Sequence, residues 1–125
     1  MSEVFFFDTC ILLEIIRGNK QYERYKEAQC VTALINIAEL NYILKKESSE
    51  EVANRITMYF KECVVLATWN DMISAGTIKR KNKELSLPDA IGYAIAQRLH
   101  IPFLTSDTDF KELPNVEFIT KKSVT

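Results

Sequence analysis

The run Val4-Phe5-Phe6-Phe7 is apolar at every position, and an acid, Asp8, follows it at once. A β-branched and aromatic run without alternation reads as a strand buried on both faces, so the chain must provide helices to cover both sides of a central parallel strand. The same stretch carries an anomaly. Asp8 is the one charge between Val4 and Leu13, and an ionised carboxylate among apolar residues is costly unless something compensates it. Three other segments repeat the pattern: Glu39 is the one charge between Ala28 and Leu44, Asp89 is the one charge between Leu85 and Gln97, and Asp107 closes the uncharged run Ile101–Ser106.

The rest of the chain alternates strand and helix signals. After Asp8, Thr9 is expected to cap a helix over Cys10–Arg17 that Gly18 terminates. A charged, aromatic surface helix over Gln21–Glu27 leads to a strand at Cys30–Leu34, then to a helix over Asn36–Lys46 with Ile37, Leu40 and Leu44 on one stripe. Glu39 has Tyr42 and Ile43 as its i+3 and i+4 neighbours, which turns it inward. Ser48 and Glu51 form a capping-box pattern before the next helix, and Cys63–Ala67 reads as a third strand. A helix follows with Trp69, Met72, Ile73 and Gly76 as its expected inner stripe. Ser86, Pro88 and Asp89 then open a nearly all-apolar helix reaching Leu99, and strands at Pro102–Thr105 and Val116–Ile119 complete the chain. The alternation predicts one α/β domain over residues 1–125, a sandwich with a mainly parallel sheet. Sites in such sheets form beyond the strands' carboxyl ends, where Asp8 and Asp107 fall.

Composition narrows the chemistry. With 16 basic and 17 acidic residues the net charge is -1, so any polyanion would have to be gripped by local patches. Cys10, Cys30 and Cys63 are widely spaced in apolar runs and read as reduced core residues, while the single His100 leaves no pair for a histidine-rich metal site. Neither a basic leader nor a membrane-length apolar run is seen, and a cytoplasmic location is expected. With three glycines the chain has no glycine-rich phosphate cradle.

If the four solitary acids share one site, their mutual repulsion calls for a divalent cation or a retained proton. An all-oxygen donor set suits Mg²⁺ or Mn²⁺, ions that can assist phosphodiester hydrolysis. Asp109, two residues beyond Asp107, is a fifth candidate ligand. Taken singly, Asp8, Asp89, Asp107 and Asp109 also suit turn and helix-cap roles, whereas mid-helix Glu39 does not.

Asp8-Thr9 after an apolar strand, Ala38-Glu39-Leu40, Leu87-Pro88-Asp89-Ala90-Ile91, and Leu104-Thr105-Ser106-Asp107 with Asp109-Phe110 together resemble the PIN-domain family, and more narrowly its small VapC-type ribonuclease toxins. The resemblance spans essentially the whole chain. It implies a five-stranded sheet of order 3-2-1-4-5 and an Mg²⁺- or Mn²⁺-dependent endoribonuclease, often a homodimer. It also implies catalytic, metal-binding acids at Asp8, Glu39, Asp89 and Asp107, a further metal-binding acid at Asp109, and Thr9 in support through a hydrogen bond. Pro88, beside the third acid, departs from the usual pattern but suits a helix start. Toxins of this kind are held inactive by a small antitoxin, while other members process or bind RNA.

The basic run Lys79-Arg80-Lys81-Asn82-Lys83 could grip RNA phosphates, or could be a solvated helix end favoured by the dipole. A phosphotransfer domain on a similar sheet fits less well. A receiver would need an acid after the third strand, where Ala67-Thr68-Trp69 stands, and a haloacid-type phosphatase would need one at Cys10.

Overall fold

A computed structural model of the protein describes residues 3–121. Five parallel strands form one sheet in the order β3-β2-β1-β4-β5, with β1 at Val4–Phe7, β2 at Gln29–Ala33, β3 at Val64–Val65, β4 at Phe103–Thr105 and β5 at Val116–Phe118. The helices are α1 (Thr9–Ile16), α2 (Leu34–Glu47), α3 (Glu50–Met58), α4 (Trp69–Lys81) and α5 (Leu87–Leu99). The unbroken apolar run places β1 at the centre of the sheet, with helices over both faces. Phe5 and Phe7 point into a cluster with Ile11, Leu12, Leu40 and Leu44, while Phe6 points the other way onto Tyr93, Ile95, Phe103 and Phe110.

Gly92 sets the depth at which α5 lies on the sheet. A Cβ at this position would stand 3.0 Å from the Phe6 ring and 3.3 Å from the Phe103 ring, so an alanine here would press on both rings and they would have to give way. Phe6 and Phe103 stack beneath it with centroids 5.4 Å apart.

Several element boundaries differ from expectation for local reasons. Asp8, not Thr9, caps α1, and Ser49, not Ser48, caps α3; in both places two capping-competent residues adjoin. Gly18 ends the first helical segment with φ +72° as expected. The segment Lys20–Glu27 is a 3-10 helix rather than a free surface helix, since Tyr22 and Tyr25 are buried. The Tyr22 hydroxyl shares a 2.7 Å hydrogen bond with Ser106. Leu34 begins α2 instead of ending β2, and β3 keeps only Val64–Val65 of its expected span.

The largest departure is the orientation of α4. Its inner face carries Asp71, Ala75 and Ile78, whereas Trp69 is 82% exposed and Met72 and Ile73 also face outward. Polar contacts fix this rotation. Thr68 and Asp71 form a reciprocal capping box, and the buried Asp71 carboxylate accepts the Arg98 Nε–H at 3.0 Å from the far end of α5. Ala75 is buried on the same side of α4 as Asp71, and on the outward side Met72 lines a groove with exposed Leu66 and Leu34. Among the described residues no helix is long and apolar enough to cross a membrane.

Candidate active site

β1 delivers Asp8 to the carboxyl edge of the sheet as the cap of α1, and both carboxylate oxygens are engaged. Oδ1 accepts the Thr9 backbone N–H at 2.9 Å, and Oδ2 accepts the Thr105 hydroxyl at 2.7 Å. The Cys10 sulfur lies 3.7 Å from Oδ2 and 3.7 Å from Thr105 Oγ1. Asp8 is only 6% exposed. Burial pushes its carboxyl up to about 7; the Thr105 hydrogen bond opposes this, and the charges of Asp89 and Asp107 add to it.

The other acids arrive from three separate elements. Glu39, on α2, is half-buried, and its Oε1 accepts the Thr9 hydroxyl at 3.0 Å. Burial raises its pKa, against the Thr9 hydrogen bond, and Asp89 raises it further. Asp89 is the third residue of α5: its Oδ2 accepts the Ser86 N–H and its own N–H donates to Ser86 Oγ, both at 3.1 Å. Asp107 follows β4, donates its N–H to Thr105 Oγ1 at 3.0 Å, and accepts the Asp109 N–H at 2.9 Å. Asp109 is exposed, with its pKa raised chiefly by Asp107 and also by Glu84 and Asp89. Capping and convergence therefore coexist, because a helix N-terminus at the edge of the sheet can hold an acid and point it toward the same region as the others.

Among the described residues, none of these five acids has a Lys or Arg partner within salt-bridge distance. No three His, Cys, Asp or Glu side chains among them form a ready-made cage. The acids act on one another as charges. Their oxygen-only donors fit a hard divalent cation, which would offset the burial and the neighbouring charges that raise the Asp8 pKa. A cleft of about 430 Å³, lined by Cys10, Ser106, Asp107, Thr108 and Lys121, opens at Asp107.

Lys79, Arg80, Lys81 and Lys83 lie at the end of α4 and just beyond it, where Lys79 Nζ donates to the Lys83 carbonyl at 2.8 Å. The Asp71–Arg98 contact joins the start of α4 to the end of α5, so the two helices run antiparallel and the basic end of α4 lies near the start of α5, which carries Asp89. None of these cations pairs with the acids. Two uncharged residues not singled out from sequence complete the site: Thr105, which bonds both Asp8 and Asp107, and Asn36, which donates to Thr9 Oγ1 at 3.0 Å. Their spacing gives a signal. Thr105 lies two residues before Asp107, and Asn36 lies three before Glu39, on the same helical face.

The parallel sheet, with one carboxylate just after β1, one just after β4 and one each on α2 and α5, defines an α/β domain with a candidate acidic site. The chain belongs to the PIN domain family, which matches residues 5–116. No curated protein sequence matches it. Among solved structures it is similar to a toxin-antitoxin complex from Klebsiella pneumoniae, with 27% identity, a TM-score of 0.80, and coverage of 94% of this chain and 99% of that one. It is also similar to the DNA-bound VapBC of Salmonella typhimurium (20% identity, TM-score 0.72, covering 94% and 97%). A third similar structure is the sarcin-ricin loop cleaving toxin VapC20 of Mycobacterium tuberculosis (14% identity, TM-score 0.68, covering 91% and 98%). At these lower identities the likeness is one of fold.

Proposed function

We propose that this chain is a metal-dependent endoribonuclease that hydrolyses RNA phosphodiester bonds, and that it acts as the toxin of a type II toxin-antitoxin pair. The observation that carries the reading is the convergence on buried Asp8 of the charges of Asp89 and Asp107, with Glu39 tied to the same residue, Thr9. Asp8, Glu39, Asp89 and Asp107 would hold one or two Mg²⁺ or Mn²⁺ ions, with Asp109 at the rim. When bound, such an ion polarises a phosphoryl oxygen and lowers the pKa of water.

The chain's own groups prepare that site. Thr9 N–H and Thr105 Oγ–H hold the two oxygens of Asp8, and Thr105 also fixes the backbone at Asp107. Thr9 Oγ–H directs Glu39. Lys79, Arg80, Lys81 and Lys83 would attract RNA phosphates flanking the scissile bond. The similarity to the Klebsiella complex supports an antitoxin as partner, and the exposed face of Leu66, Trp69, Met72 and Ile73 supports association with a second copy as well.

Purified protein should cleave structured RNA with Mg²⁺ or Mn²⁺, lose that activity in EDTA, and lose it again in Asp8→Asn. Expression in bacteria should arrest growth, with rescue by Asp89→Asn. Metal-independent cleavage, or full activity of Asp8→Asn, would sink the assignment; harmless expression of an active enzyme would point to RNA processing instead of a toxin.

A further inference from the structure

Asn36 is 2% exposed, carries no charge, and reaches the acids through one intermediary. The direction of each hydrogen bond follows from donor inventory. A Glu39 carboxylate can only accept, so the Thr9 hydroxyl must give it its one proton, across 3.0 Å. Thr9 Oγ1 is then able only to accept, and the group of Asn36 that faces it at 3.0 Å must be the amide Nδ2–H₂ rather than the carbonyl. The result is a one-way relay from Asn36 through Thr9 to Glu39. The same Thr9 gives its backbone N–H to Asp8, so the relay lies between two of the acids.

We infer that Asn36 is a positioning residue of the acid site: by fixing the Thr9 hydroxyl it holds one oxygen of Glu39 and leaves the other directed for a divalent cation. This inference rests on reading the site as a metal centre. A role in packing alone does not explain why an amide occupies the position. Asn36 Oδ1 is buried without a hydrogen-bond partner, a cost that an apolar side chain of similar volume would avoid. Without the amide, the hydroxyl could turn away from Glu39, and the carboxylate would have to be ordered at the moment of metal binding. Outer partners of metal ligands typically contribute about 10- to 100-fold in affinity.

The test measures Mn²⁺ binding by calorimetry without RNA, on wild type, Asn36→Leu, Thr9→Val and the double variant. Asn36→Leu should bind Mn²⁺ about tenfold more weakly. Its melting temperature without metal should equal or exceed that of wild type, a combination that damage to the fold would not produce. Added to Thr9→Val, Asn36→Leu should change Mn²⁺ affinity no further, because its effect passes through the hydroxyl. In RNA cleavage the Mn²⁺ concentration for half-maximal rate should rise, with kcat largely recovered at saturating metal. Should Asn36→Leu not fold, Asn36→Ala supplies the same binding readout. Wild-type affinity in Asn36→Leu, or independent losses in the double variant, would overturn the inference and leave the nuclease reading standing. A wild-type protein that binds no Mn²⁺ would overturn both.

Discussion

Asp8 makes the metal-free protein sensitive to pH in the direction opposite to that of a salt-bridged carboxylate. In the fold it keeps its proton up to about pH 7, whereas its ordinary value is 3.8. Between those values the native state binds more protons than the unfolded chain, so the contribution of Asp8 to stability is intact below about pH 4 and is lost progressively up to about 7. At about 1.36 kcal/mol per pH unit the full loss is about 4 kcal/mol. The measurement is urea unfolding in EDTA from pH 4 to 8, comparing wild type with Asp8→Asn. The substitution leaves one acceptor for Thr9 N–H but sets an amide against the Thr105 hydroxyl, a fixed cost of about 1–2 kcal/mol that does not vary with pH. The difference between the two proteins should therefore move in favour of Asp8→Asn as pH rises, by up to about 4 kcal/mol, and then level off. Millimolar Mg²⁺ or Mn²⁺ at pH 8 should stabilise wild type and leave Asp8→Asn unchanged. A pH-independent difference would refute the claim that burial and neighbouring charges hold the proton on Asp8.

Thr105→Val removes a hydrogen bond that favours the ionised Asp8 and should shift the pH midpoint of metal binding upward, at a stability cost of about 1–3 kcal/mol seen in urea melts. Arg98→Ala leaves the buried Asp71 carboxylate without its cation; discounting for the one-third exposure of Arg98, unfolding should become easier by about 2–3 kcal/mol at pH 7, with little effect on Mn²⁺ affinity. On the proposed pairing through the outward face of α4, wild type should be a dimer by light scattering, and replacing Trp69 and Ile73 with glutamate should make it a monomer while leaving the circular dichroism spectrum intact; a monomeric wild type, or a dimer that persists in the variant, would remove this face as the contact.

What could be read from sequence follows from what kind of anomaly each residue makes. The central position of β1 was legible because four consecutive apolar residues can only be covered from both sides, and the acids stood out as single charges in apolar segments. The outward face of α4 was not legible. Trp69, Met72 and Ile73 at helical spacing look the same whether they face a core or the outside, and only the contacts of Asp71 with Thr68 and Arg98 decide between them. Thr105 and Asn36 stayed hidden for the converse reason, since uncharged polar residues in apolar surroundings are common and their importance lies in which atoms they face. The capping positions moved by one residue because Asp8-Thr9 and Ser48-Ser49 each offer two suitable side chains.

The contact of Gly92 with the rings of Phe6 and Phe103 ties the acid on α5 to the acid after β1 through the middle of the protein. Asp89 lies one turn before that glycine, and Asp8 lies two residues beyond Phe6, so the separation between the two carboxylates is gauged by a stack of aromatic rings and not by surface loops. A methyl group at position 92 would press on both rings, so Gly92→Ala should shift α5, and Asp89 with it, relative to β1. The placement of an acid at the edge of the sheet is in this way set by packing in its interior.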